Sequence, residues 1–208
     1  MSAPNYRDAI REYIRIQAKP PDKFSHQSRL YQIACSLAEN QPFDDDVLFA
    51  AIWMHDLGVF IGHRPEDPAA LAAWDNVAYA MKETPGLLRQ LGFPEEKITA
   101  VVEVIRTHLP ATKPTSFEGT LMRDADILEQ LGAVGILRTV SKIGRDTRFV
   151  YFRDALRVLR ANLKKLPGSL ELVSARRLAQ PRIKLLKEFI DSAEAEAAGA
   201  ELYALRLI

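Results

Sequence analysis

The chain has one cysteine, Cys35, among 208 residues. A single thiol excludes an intramolecular disulfide, and a reducing, cytoplasmic location is the expectation. Cys35 falls within an apolar helical pattern and reads as a small buried hydrophobe. Long apolar runs are missing, so no segment has the length needed to span a bilayer. The segment Met1 to Asp8 has no signal-peptide core. No membrane contact is expected. Excess charge is also missing: Lys+Arg number 28 against 27 Asp+Glu, a formal net charge of +1. That balance argues against a protein that coats a nucleic-acid polymer, while leaving room for a local phosphate pocket. Gly58 and Gly62 are too sparse for a glycine-rich phosphate loop. No Gly-x-Ser-x-Gly elbow occurs, and Cys35 has no histidine nearby in sequence, so serine and cysteine hydrolase chemistry is disfavoured.

Strand-like alternation, internal repeats and low-complexity linkers are absent too; the apolar period is helical nearly everywhere. Ser2 is a candidate cap for a first helix bearing Tyr6, Ile10, Tyr13 and Ile14 on its apolar side, ended by Pro20-Pro21. A second helix is expected from about Lys23 to Asn40, with Leu30, Ile33, Ala34 and Leu37 inward. Asp44-Asp45-Asp46 has the acidic character of a helix start, and the helix it opens should stop at Gly58. Pro68 opens a helix to about Glu83, which Thr84-Pro85-Gly86 should break. The next spans Glu95 to His108, with Ile98, Val101, Val102 and Ile105 on its core face. Phe117 to Leu131 and a shorter helix to Ile143 follow, stopped by Gly132 and Gly144. Two long helices close the chain around Pro167-Gly168, and Pro181 should kink or split the second. Glu194 to Ala200 reads as a solvated helix end. The expectation is one all-α domain over residues 1–208, with a core of 20–145 and C-terminal helices of 146–208 packed on it.

The chain has four histidines, His26, His55, His63 and His108. Taken singly, each is most simply a surface, capping or satisfied core residue. His55-Asp56 is the exception, because it ends the apolar run Phe49-Ala50-Ala51-Ile52-Trp53-Met54. An imidazole and a carboxylate at the buried end of such a helix are costly without partners. A divalent cation would satisfy both, and so would a hydrogen-bonded helix end; local sequence leaves the two open. His26 heads the apolar stripe of the second helix. Asp124 and Asp126 stand two apart in Arg123-Asp124-Ala125-Asp126-Ile127-Leu128, so they point in different directions on a helix.

Together, His26, His55-Asp56 and Asp126 resemble the H…HD…D signature of the HD superfamily of metal-dependent phosphohydrolases. Ser25-His26-Gln27-Ser28-Arg29-Leu30 is similar to that family's first-histidine helix, and His55-Asp56-Leu57-Gly58 to its HD-Ile/Leu-Gly variant. The stretch from Asp124 to Ile136, and the spacing of Ala179, Arg182 and Phe189, resemble a bacterial branch often described as nucleotide pyrophosphatases. The likeness runs over about residues 4 to 196. It implies an HD-domain helical bundle whose metal ligands are His26, His55, Asp56 and Asp126, with Asp124 orienting a ligand or bound water. One divalent transition metal is implied, manganese first, with nickel, cobalt, iron and zinc as alternatives. Binuclear members carry two more histidines. His108 matches the second, but Trp74-Asp75-Asn76-Val77 has none at the first, which favours one metal. The branch's acidic residue and lysine after the HD pair are replaced by Val59-Phe60-Ile61-Gly62-His63-Arg64, so substrate choice is expected to differ.

The implied reaction is hydrolysis of a phosphate ester or anhydride in a small molecule, a nucleotide first among them. Asp56 and His108 are the candidate catalytic groups. Arg29, Arg64, Lys113 and Arg123 are candidates for holding phosphate, Arg29 the foremost because it sits about one turn from His26. Arg145 is a weaker candidate, and Lys142, Arg145 and Arg148 read as a solvated cluster. The competing readings are a di-metal HD oxygenase and a non-catalytic HD-fold regulatory domain. A homodimer is left open.

Overall fold

The computed structural model describes residues 5–197 and is all-α, as expected. Among the described residues the extended pairing is confined to an isolated bridge between Ile61 and Arg64. No described helix is long and apolar enough to cross a membrane. Contacts divide the chain between Ala125 and Asp126, inside one helix, and the two units are taken in turn.

The first unit is built around α3, Asp45–Met54. Every residue from Val47 to Met54 is buried. A helix that is apolar all round has no solvent face, so neighbours must cover it on several sides. The neighbours are α1 (Tyr6–Gln17), α2 (Asp22–Leu37) and α6 (Ile98–Thr107), and α5 (Asn76–Gln90) packs on α6 in turn. From α1, Ile10 and Ile14 are fully buried; from α2, Leu30 and Ala34. Asp44 caps α3 as expected, its Oδ1 accepting from the backbone N–H groups of Asp46 and Val47 at 3.1 and 3.2 Å.

The same acidic start carries a tie that the sequence did not suggest. Arg7 of α1 bonds Asp45 at 2.7 Å and also pairs with Asp46. Lys97 reaches both Asp44 and Asp46 at 2.9 Å, and the Tyr6 hydroxyl donates to Asp46 at 2.6 Å.

Several expected boundaries move. Asn5, not Ser2, caps α1, and Ser2 lies outside the described residues. The helix expected from Pro68 to Glu83 is two: α4 is short, Pro68–Ala72, and a new helix starts because Asp75 accepts from the N–H groups of Val77 and Ala78 at 3.0 and 2.9 Å. Pro85 does not break α5, which runs through it to Gln90. An interior proline costs about 3 kcal/mol. Ala80, Thr84 and Leu88 are fully buried on one face of this helix, and that burial offsets the missing backbone bond. In α6, Val104 takes the buried place expected for Val102.

The second unit comprises the end of α7 (Phe117–Gln130), α8 (Gly132–Val140), α9 (Phe152–Lys165) and α10 (Val173–Ala197). The last three pack against one another. Gly132, after α7, has φ of 75°, the left-handed conformation that ends a helix at low cost; Gly144 has the same φ but lies in a turn beyond α8, which stops at Val140 with Ser141 as its C-cap, short of the Ile143 expected. Arg182 of α10 donates to the Leu128 carbonyl at 2.6 Å, and Arg138 pairs with the buried Glu129 at 2.8 Å. Pro181 does not split α10.

Candidate metal centre

The end of α3 sets the centre. His55 is its C-cap in helical conformation, and the chain then tightens into a 3-10 turn, Leu57–Val59. Gly58 is therefore not a left-handed helix stop as expected. It is there for space: a Cβ on it would come within 2.5 Å of the Asn76 carbonyl oxygen and 2.7 Å of the Asn76 Cα. Close approach of the start of α5 to the turn after Asp56 requires glycine at this position. Trp74 holds the same turn from outside, its indole N–H donating to the Gly58 carbonyl at 2.7 Å.

His26, from the second turn of α2, His55 and Asp56 converge. One ligand atom from each lies within 4.8 Å of the others. His55 Nε2 is 3.4 Å from Asp56 Oδ1, and His26 Nε2 is 3.8 Å from Asp56 Oδ2. Both imidazoles are about 3 % exposed, whereas the Asp56 side chain is 14 % exposed, so the carboxylate is the solvent-facing member. His108 joins them from the end of α6. Its ring lies 5.3 Å from that of His55, and it is equally buried.

Two backbone carbonyls orient these rings. His55 Nδ1 is 2.7 Å from the Ile52 carbonyl, and His108 Nδ1 is 2.6 Å from the Ile105 carbonyl. A carbonyl only accepts, so in the neutral ring Nδ1 carries the hydrogen and Nε2 keeps its lone pair. This is the usual way a protein fixes the tautomer of a metal-ligating histidine. Donor atoms on one ion stand roughly 3 Å apart, given metal–ligand distances near 2.1 Å. The observed separations are slightly wider than that, and the donor set of imidazole and carboxylate suits a first-row divalent cation.

The other expected site residues fall as follows. Asp124 is completely buried beside Arg123, whose Nη2 is 3.8 Å from its Oδ1. Asp126 is half-buried at the start of the second unit, its Oδ2 accepting from the Gln130 amide at 2.9 Å. Arg123 is 4 % exposed and donates to the Thr112 carbonyl at 3.0 Å, which ties the loop after His108 to α7. Arg29 bonds the Ser25 hydroxyl at 2.8 Å, Arg64 is half-buried, and Lys113 is exposed. Arg145 is exposed and donates to the Ser141 carbonyl at 2.6 Å. His63 lies between α1 and α5, bonded to Gln17 at 2.9 Å and to the Tyr79 hydroxyl at 3.2 Å, and burial holds its pKa below the ordinary value.

Sequence reasoning missed the carbonyls of Ile52 and Ile105 and the part played by Trp74 and Asn76. The first had a signal, since each lies three residues before a helix-ending histidine. The second had none, because the contact is made across the fold.

No family model matches the chain. A curated relative is YpgQ of Bacillus subtilis (strain 168), 26% identical over 185 residues, which covers 85% of this chain and 84% of YpgQ. The crystal structure of YpgQ superposes with a TM-score of 0.71 at 23% identity, over 93% of this chain and 96% of that chain. YpgQ has also been crystallised in complex with ADP; that structure matches with a TM-score of 0.69 at 23% identity, over 93% and 98% of the two chains. A predicted HD superfamily hydrolase from an uncultured Thermotogales bacterium is 25% identical with a TM-score of 0.61, covering 91% of each chain. An HD-superfamily hydrolase from Bacillus thuringiensis is 23% identical with a TM-score of 0.65, over 94% of this chain and 100% of that chain. The fold is that of an all-α HD domain.

Proposed function

We propose that this chain is a metal-dependent phosphohydrolase, acting on a phosphate ester or anhydride in a small molecule of the nucleotide class. The observation that carries the reading is the convergence of His26, His55 and Asp56 within 4.8 Å, at the end of a helix buried and apolar from Val47 to Met54. Asp126 is proposed as the fourth ligand, with one divalent transition metal per chain, manganese first. The likeness to HD-superfamily hydrolases supports the reaction type, and the ADP complex of YpgQ supports the nucleotide class.

A divalent cation held there would supply a nucleophilic water at neutral pH and draw charge from a phosphoryl oxygen. The chain's own residues set the rest. The Ile52 carbonyl fixes His55 so that Nε2 faces the centre. Asp56, the solvent-facing member, is proposed to accept a proton from the attacking water. His108, whose Nδ1 hydrogen goes to the Ile105 carbonyl, is proposed to give a proton to the leaving oxygen from Nε2 once that nitrogen has itself been protonated. Arg29, one turn from His26, is proposed to meet the phosphate charge, with Arg64 and Lys113 as further contacts. Arg123 is proposed to act at one remove, by holding the loop that follows His108.

The test is a screen for phosphate or pyrophosphate release from nucleotides, sugar phosphates and an aryl phosphate, with manganese, nickel, cobalt, iron and zinc each supplied. Turnover with at least one metal, abolished in His55→Ala and Asp56→Ala, is expected. Turnover surviving in both variants refutes the proposed centre. Uptake of oxygen with two irons per chain would instead favour the oxygenase reading.

A further inference from the structure

α10 buries Ala175, Ala179, Leu186 and Ile190 on its inward face. About a quarter turn round the helix, at 3.6 residues per turn, Leu178, Leu185 and Phe189 form a second stripe. These three are 39%, 42% and 38% exposed. Large apolar side chains aligned on one solvent face are the usual mark of a contact surface.

Charge along the helix says which partner fits. Arg176, Arg177, Arg182 and Lys184 fall in its first half. Glu188, Asp191, Glu194 and Glu196 fall in its second, with Lys187 alone against them. Such a helix complements a second copy of itself laid antiparallel, basic half against acidic half. A parallel copy would set like charges together. We infer that α10 is the contact helix of a two-fold dimer of this chain, in which Leu178 seats against Phe189 of the partner subunit and Arg177 faces Glu188 of the partner subunit. In an antiparallel pair the midpoints of these two pairings, between residues 183 and 184 and between residues 182 and 183, lie one residue apart along the helix, about 1.5 Å, so one register brings both within side-chain reach. On the helix wheel Arg177, Lys184 and Glu188 flank the same edge of the stripe, the placement in which antiparallel helices exchange flanking ion pairs. Glu188 makes a loose, exposed pairing with Lys184 at 3.8 Å, a geometry in which its carboxylate can also accept a second cation. Two-fold symmetry makes each of these contacts twice.

The experiment is sedimentation velocity on the full chain over a wide concentration series at low and high salt, with circular dichroism to verify folding. The wild type is expected to sediment as a dimer, and Phe189→Asp as a monomer. Arg177→Glu should raise the dimer Kd about tenfold by setting two acids face to face at both symmetric positions. Adding Glu188→Arg to it should restore the wild-type Kd. A wild type that stays monomeric at every concentration overturns the proposal, as does a folded Phe189→Asp that remains dimeric. Failure of the double charge exchange to restore association overturns the antiparallel register. Arg177 and Glu188 are both exposed, so the charge exchange decides the matter even where Phe189→Asp fails to fold.

Discussion

The imidazoles of His55 and His108 stand 5.3 Å apart, ring to ring, each with its Nδ1 held by the carbonyl three residues earlier in its own helix. Two helix ends, those of α3 and α6, thus bring these two rings into edge-to-face contact. The account gives the two rings different work. His108→Ala should keep its bound metal while kcat falls by about 10²-fold or more, the scale of a lost general acid. His55→Ala should lose the metal itself. Metal content and kcat measured on both variants separate the roles, and loss of metal in His108→Ala would make it a ligand instead.

Gly58 offers a test that touches no ligand. A methyl group there would meet the Asn76 backbone at 2.5 Å, so either α5 or the turn after Asp56 must move. Gly58→Ala should destabilise the fold by about 1–3 kcal/mol, the usual scale of overpacking. It should also weaken metal binding, because the displaced turn follows directly on Asp56. Chemical denaturation and metal titration read the two effects. A variant as stable as the wild type would show that the close approach is dispensable.

Asp124 and Asp126 are neighbours with opposite surroundings. Asp124 is fully buried beside Arg123, whereas Asp126 is half-buried. Asp124→Asn should lower the unfolding midpoint, since it leaves a buried guanidinium beside a neutral group. Asp126→Asn should leave the midpoint of the metal-free protein nearly unchanged and weaken metal affinity. The reverse assignment of effects would exchange their roles.

Acid sensitivity follows from the tie at the start of α3. Burial opposes ionisation of Asp46, but hydrogen bonds from Tyr6, Arg7 and Lys97 outweigh it and hold its pKa below 3.8. Asp44 is lowered as well: burial again opposes, and Lys97 with two backbone N–H groups overcomes it. An unfolded chain therefore takes up protons at these positions before the folded one does. Their stabilisation is full above about pH 4 and is lost as pH falls further, through the folded-state values. Thermal melts of wild type and Asp46→Asn should differ most near neutral pH and converge in acid. A difference that stays constant with pH would assign the tie no electrostatic part.

Much of this was legible in the chain itself. The all-α class, the cap at Asp44 and the left-handed stop at Gly132 follow from local chemistry, which sequence displays directly. So does the oddity of His55-Asp56 after an apolar helix. What sequence hid was set by packing. Pro85 reads as a breaker until the buried face of Ala80, Thr84 and Leu88 is seen to hold α5 through it. Gly58 reads as a stop until Asn76 is found against it. The tie of Arg7 and Lys97 to the Asp44–Asp46 triplet joins residues far apart in the chain, for which no local pattern gives notice.

Metal content tests the central claim most directly. Wild type and the His26→Ala, His55→Ala, Asp56→Ala and His63→Ala variants would be loaded with manganese, desalted and assayed for metal per chain, with folding verified by circular dichroism. The account predicts one metal per chain in the wild type and in His63→Ala, and loss of it in the other three. Undiminished metal in folded His55→Ala and Asp56→Ala would contradict it.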